Sequence, residues 1–234
     1  MPRIKTTNGY IRYTTHPIYP GIKRIDKKLA TENLLLLKDI LERNQIAYVL
    51  IAGTLLGVVR ENDFIDHDED IDIALPEEYR QQLFDCLQQI IDAGFNIARY
   101  DRRGLVSIMR NSEYIDLYLF RKYSDGIRTC GGWLVPEKFI LETSELEFKN
   151  AKFRVPKDYI GFLECEYGIN WQTPVIWNNY KMPRWKTKLL ELKEKLKDLL
   201  PDKIYFFLAD RSEHNQEIKC SEKIEKYYHR QNKH

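Results

Sequence analysis

No run in this chain is apolar for long enough to span a bilayer, and its first residues carry no apolar stretch resembling a signal segment. Nothing repeats internally and no tract is of low complexity. Cysteine is scarce: Cys86, Cys130, Cys165 and Cys220 form no C-x-x-C pair, and no histidine stands at metal spacing from them. Free thiols in a reducing compartment are the expectation. Excess charge is lacking too. Lys and Arg number 37 against 35 Asp and Glu, so composition gives no reason to expect nucleic acid as a partner. The expected molecule is soluble and cytoplasmic.

What is present supports a packed core. Hydrophobic residues make up 43% of the 234 positions, and 15 Tyr with 10 Phe argue against disorder; the length suits one large domain or one domain with a small appendage. Residues 1–25 read as an extended, solvated basic lead-in, 26–185 as the main domain, and 186–234 as a helical extension with a charged tail.

The main domain is organised around YVLIAGTLLGVVRENDFIDHDEDIDIAL, from Tyr48 to Leu75. A β-branched run reaches Gly53-Thr54, a short helix follows to Arg60, and a second strand carries Asp68, Asp70 and Asp72. Alternate residues of a strand share a face, so the three aspartates point one way and Ile71, Ile73 and Leu75 the other. Stacked carboxylates repel unless a cation sits among them, and Asp70 with Asp72 can share Mg²⁺ or Mn²⁺. Gly53 permits close backbone approach to a phosphate at the start of a helix. A calcium loop over Asp66 to Glu77 is disfavoured, because its sixth position needs Gly and has Ile71.

On either side, Asp26 caps a helix reaching Asn44, and Pro76 opens a helix that ends at Gly94. Strands follow over Phe95–Tyr100, Leu105–Arg110 and Tyr114–Phe120. The last places Asp116 on one face with Tyr118 and Phe120, making it either a third partner for Asp70 and Asp72 or a solvated edge residue. A hairpin turns at Lys149-Asn150, a helix runs from Pro156 to Tyr167 with Ile160, Leu163 and Tyr167 inward, and an aromatic loop extends to Trp185. The stretch Lys186–Leu200 is a basic amphipathic helix that either docks on its own domain, the preferred arrangement, or lies on an anionic membrane. Ile204–Leu208 reads as a short strand, and Asp210–His234 as a charged tail that is helical around Ile224. The result is an α/β class, with a mixed α+β sheet flanked by helices.

The quoted block resembles the signature of the LicD/fukutin family of phosphotransferases, G-T-x-L-G-x-x-R followed by F-I-x-x-D-x-D-I-D. YIDLYLF resembles the family's second acidic strand, and KFRVPKDYIGFLECEYGINWQTP its V-P…Y-G-x-x-W-x-x-P segment. His67 and Glu69 depart from the residues common there but leave the D-x-D pair intact. The resemblance implies a nucleotidyltransferase-like fold and transfer of a substituted phosphate, such as phosphocholine or an alditol phosphate, from a CDP-linked donor to a sugar hydroxyl. It further implies that Asp70 and Asp72 hold the metal and that Asp116 completes the site or accepts a proton. Asp68 binds the metal or supports its ligands, Gly53 and Thr54 receive donor phosphate, and Arg60 either offers its guanidinium to phosphate or forms an ion pair with a nearby Asp. Lys181 and Arg184 are added as contacts from the aromatic loop.

Overall fold

A computed structural model describes residues 2–16, 24–175 and 183–232. Strands β1 (Arg3–Thr6) and β2 (Gly9–Arg12) pair antiparallel. The lead-in therefore opens with a hairpin, held by burial of Ile4 and by hydrogen bonds from Thr7 to Asp85. Helix α1 (Lys27–Arg43) begins where its cap predicts, with the Asp26 carboxylate accepting from the N–H groups of Lys28 and Leu29.

Strand β3 (Val49–Leu50) is cut to two residues because the chain reverses at Ala52, whose φ of 49° lies in the left-handed region. Helix α2 (Ala52–Glu61) starts at once, so Gly53 and Thr54 lie within its first turn rather than before it. Strand β4 (Asp70–Pro76) starts two residues after Asp68. Asp68 belongs to the preceding turn, its N–H bonded to the Ile65 carbonyl at 3.0 Å. Pro76 closes β4 opposite Phe120 instead of opening a helix; a 3₁₀ turn (Glu77–Tyr79) separates it from α3 (Arg80–Asp92).

Strands β5 (Asn96–Asp101), β6 (Leu105–Arg110) and β7 (Glu113–Ser124) follow. The main sheet runs β3-β4-β7-β6-β5, parallel between β4 and β7 and antiparallel elsewhere. It is the expected mixed sheet. The far end of β7 pairs with β8 (Ile127–Cys130), which turns through Gly131-Gly132 into β9 (Trp133–Pro136). The Ile71, Ile73, Leu75 face of β4 and the Ile115, Leu117, Leu119 face of β7 are fully buried, with α1 against both strands. Placing these six side chains in the core commits the alternate positions to the opposite face.

A four-residue helix α4 (Lys138–Leu141) leads to the hairpin of β10 (Thr143–Phe148) and β11 (Ala151–Pro156), which turns at Lys149-Asn150 as expected. In α5 (Tyr159–Tyr167) the buried residues are Gly161, Phe162 and Leu163, whereas Ile160 and Tyr167 are exposed. The helix is wedged against α2 and β11, so its inward face is rotated from the predicted stripe.

After α6 (Arg184–Leu199), the residues expected as a strand and the tail expected to be helical only around Ile224 form one continuous helix, α7 (Asp202–Gln231). Tyr205 is buried near its start, and farther along the buried Cys220, Ile224 and Tyr227 follow a helical spacing as the helix rests on β9 and α5. Gly132, at φ +87°, admits α7: a Cβ there would stand 2.5 Å from the Glu213 carbonyl oxygen. The four cysteines are unpaired. No helix among the described residues is long and apolar enough to cross a membrane.

Candidate active site

The registers of β4, β7, β6 and β5 place Asp72 beside Asp116, Asp116 beside Ser107, and Ser107 beside Arg99. Four neighbouring strands thus contribute one row of polar side chains. The row is bonded along its length. Arg99 donates to Ser107 Oγ at 3.1 Å and to Asp116 Oδ2 at 3.0 Å, and Ser107 donates to Asp116 Oδ1 at 2.5 Å. Tyr118, next along the same face of β7, donates its hydroxyl to Asp116 Oδ2 at 3.3 Å. Asp70 shares the face two residues before Asp72, opposite Tyr114. Of the two alternatives for Asp116, the structure selects a buried partner of Asp72; it is 3% exposed.

Asp72 is fixed through its backbone. Its N–H donates to Thr54 Oγ1 at 2.8 Å, and its carbonyl accepts from the Ile51 N–H at 3.2 Å. The Thr54 hydroxyl, expected to face phosphate, is buried and acts as the clasp between α2 and β4. Gly53 lies against Asp68, where a Cβ would overlap a carboxylate oxygen, so its missing side chain makes room for that carboxylate. Arg60 is paired with Glu61 at 2.6 Å and donates to the Trp171 carbonyl at 3.4 Å. Of the two tasks expected for Arg60 this is an ion pair, made with Glu61 and not with an Asp. Lys181 lies outside the described residues; Arg184 opens α6, and its side chain is likewise outside them.

Burial and mutual repulsion dominate the electrostatics. Burial, then the charges of Asp116 and Asp68, holds Asp70 well above the usual carboxylate range. Asp72 is raised by burial and then by Asp70, Asp68 and Asp116. Burial, with the charge of Glu69 adding to it, pushes Asp68 up to about 6. Asp116 is raised by burial despite Arg99, Ser107 and Tyr118. Burial, and then the charges of these aspartates, raises the hydroxyls of Tyr114, Tyr118 and Tyr167.

Four crowded carboxylates with Arg99 bonded to one of them suit a hard divalent cation with oxygen ligands. Among the described residues no group of three or more acidic, His or Cys side chains is placed to hold a metal ion, so a cation here would rest on fewer protein ligands than that.

Beyond Tyr118 lies a cavity of about 320 Å³, walled by Tyr118, Trp133, Glu166, Arg103, Asp101 and Gln216, among others. The Trp133 and Tyr118 rings meet edge-on at 5.3 Å, and the indole N–H donates to Glu166 at 3.1 Å. Burial would raise Asp101, but hydrogen bonds from Arg103, at 2.6 Å, and Tyr205, also at 2.6 Å, hold its carboxyl at about 2. A depressed carboxylate stabilises the fold above its unfolded value, 3.8, and the contribution is lost as pH falls toward 2. The shift corresponds to about 2 kcal/mol. Asp101→Asn is expected to lower Tm by about 4–8 °C at neutral pH. The difference from the parent should shrink only below about pH 4, as followed by circular dichroism melts from pH 7 downward.

Residues 45–158 match the family model described as LicD/FKTN/FKRP, nucleotidyltransferase domain. Over that stretch the chain is similar to the LicD/FKTN/FKRP nucleotidyltransferase domain. It is similar to uncharacterized protein RT0683 of Rickettsia typhi, at 28% identity over 152 residues, covering 62% of this chain and 48% of that protein. It is also similar to human ribitol 5-phosphate transferase FKRP, at 29% identity over 150 residues, covering 55% of this chain and 29% of FKRP. The chain thus spans about half or less of the length of these relatives. A crystal structure of ANT(2'')-Ia in complex with adenylyl-2''-tobramycin aligns at 16% identity and a TM-score of 0.46, over 84% of this chain and 98% of that one.

The matched LicD/FKTN/FKRP segment runs from just before β3 to just before α5, so Asp68, Asp70, Asp72, Asp116, Ser107 and Arg99 all lie inside it. Arg99, Ser107 and Tyr118 were not among the residues expected from the sequence. The available signal was weak: each shares its strand with other polar residues, and only register unites them.

Proposed function

We propose that this domain is a metal-dependent phosphotransferase that moves a substituted phosphate, phosphocholine or an alditol phosphate, from a CDP-linked donor to a sugar hydroxyl of a glycan. The observation that supports it most is the register pairing Asp72 with Asp116 while Asp70 shares their face, within a domain common to this chain and FKRP.

Asp70 and Asp72 would hold Mg²⁺ or Mn²⁺, whose charge neutralises phosphate oxygens in an in-line displacement. Thr54 and Ile51 keep Asp72 in place through its backbone. The cavity beside Tyr118 offers the acceptor sugar an aromatic wall and carboxylate acceptors. Asp116, bonded to Tyr118 of that wall, would complete the site or accept the acceptor hydroxyl's proton. The hydroxyl oxygen bonds to the phosphorus bearing the transferred group, the bond from that phosphorus to CMP breaks, and the proton passes to the carboxylate. Positioning and charge neutralisation supply the catalysis, without a covalent enzyme intermediate.

The test is thermal stabilisation by CDP-choline, CDP-ribitol, CDP-glycerol, CTP, ATP and UTP, each with and without Mg²⁺ or Mn²⁺. One CDP-linked donor should raise Tm only with metal, by an amount equivalent to about 2.7 kcal/mol at a hundredfold excess over Kd. Stabilisation confined to a nucleoside triphosphate would replace this proposal with nucleotidyl transfer.

A further inference from the structure

Helix α6 contradicts the expectation that its apolar stripe docks on the domain. Trp185, Leu189, Leu192, Leu196 and Leu199 recur at intervals of four and three residues, which places them on one face. All five are exposed, Leu199 at 73%. The first turns of α7 extend the surface with Ile204, Phe206, Phe207 and Leu208, of which Phe207 is 78% exposed. Between the helices runs an apolar groove of about 830 Å³, bounded by Leu189, Leu192 and Leu196 on one side and Tyr205 and Leu208 on the other. An apolar surface of this extent on a protein exterior marks a contact.

Charge identifies the partner. Lys186 and Lys193 each follow a stripe residue by one position, and Lys188 precedes one, so exposed lysines flank the apolar face on both sides. The acidic positions of α6, 191, 194 and 198, fall on the side of the helical wheel away from the stripe. Six basic residues stand against three acidic ones between 184 and 199. A tryptophan and leucine face between lysine flanks suits the boundary between headgroups and acyl chains. There the indole sits at the interface and lysine stems bury their methylenes while the ammonium groups meet anionic headgroups. A second copy of the same lysine-rimmed face would bring like charges together.

The surface is also fixed to the body. Arg102 donates to the Leu200 carbonyl at 2.7 Å, pairs with Asp202 at 3.0 Å and lies over the Tyr205 ring, while Tyr205 donates to Asp101. Asp101 ends β5, the strand that carries Arg99. Anything that seats the helix pair therefore orients the sheet as well.

We propose that the joint of α6 and α7 is a docking surface for an anionic lipid bilayer, with the stripe lying in the headgroup plane. The inference is independent of the activity proposed above. The experiment is sedimentation of the full chain with vesicles of phosphatidylcholine alone or mixed with phosphatidylserine. Binding to the mixed vesicles should exceed binding to the neutral ones about tenfold and fall with added salt. Leu192→Glu with Leu196→Glu, and separately Lys186→Glu with Lys193→Glu, should each reduce it about tenfold without changing Tm, because these side chains are exposed. Absence of binding to phosphatidylserine vesicles would overturn the proposal. So would binding indifferent to the leucine pair, or a concentration-dependent dimer abolished by that pair in analytical ultracentrifugation.

Discussion

Asp72→Asn is expected to lower turnover by about 10³-fold, the loss of several kcal/mol of charge stabilisation at the transferring phosphate. The fold should survive. Asparagine has the shape of the residue it replaces, and the bonds that seat this position run through its backbone to Thr54 and Ile51. The variant should melt no lower than the parent without added divalent ion, because it removes one like charge from a buried group containing Asp68, Asp70 and Asp116. Loss of turnover at saturating donor with an unchanged melt is the expected pair of results. Activity within tenfold of the parent would remove Asp72 from the machinery. Asp70→Asn serves as an independent check, since it shares the face but not the clasp to Thr54.

Arg99→Ala should cost both stability and rate. The guanidinium is 28% exposed, whereas the Asp116 carboxylate it contacts is 4% exposed, so removing it leaves a buried charge without its cation. Breaking a fully buried pair costs about 3–5 kcal/mol; partial exposure brings this one to roughly 2 kcal/mol. Tm should fall by about 4–8 °C. A divalent ion offers the same carboxylates a replacement charge, so Mg²⁺ or Mn²⁺ should recover part of the loss in Arg99→Ala and raise the parent less. Equal metal effects on both proteins would separate Arg99 from the electrostatics of the site. Turnover should drop about tenfold to a hundredfold, as Asp116 loses the partner that orients it.

The acidic strand could be read from the sequence because one face of β4 is wholly apolar. Once Ile71, Ile73 and Leu75 are assigned inward, the parity of Asp70 and Asp72 is fixed, and the same reasoning places Asp116 on β7. Parity does not give register. The parallel pairing of β4 with β7 spans α3, β5 and β6, so the contact between Asp72 and Asp116, and the addition of Arg99 and Ser107, depend on long-range pairing that no local pattern encodes. Asp68 was assigned to the strand by extending the alternation too far; the turn that bonds its N–H to Ile65 ends the period before it. The cavity brings together β6, β7, β9, α5 and α7, whose residues are distant in the chain. The C-terminal error has a different origin. Phe206, Phe207 and Leu208 form a short apolar run, which has the same appearance in a strand and in a helix, and the anchoring residues of α7 are too sparse to reveal its period locally. The stripe of α6 was visible, but whether a stripe is covered is a tertiary property.

The most direct measurement is identification of the products formed when the full chain, Mn²⁺, a CDP-linked donor and a panel of sugar acceptors are incubated together and analysed by ³¹P NMR and mass spectrometry. CMP released in equal amount to a new sugar phosphodiester, absent without metal and absent in Asp72→Asn, is the predicted result. Pyrophosphate released from a nucleoside triphosphate with a nucleotide joined to the acceptor, or equal turnover by parent and Asp72→Asn, would contradict the assignment of Asp70, Asp72 and Asp116 to transfer of a substituted phosphate.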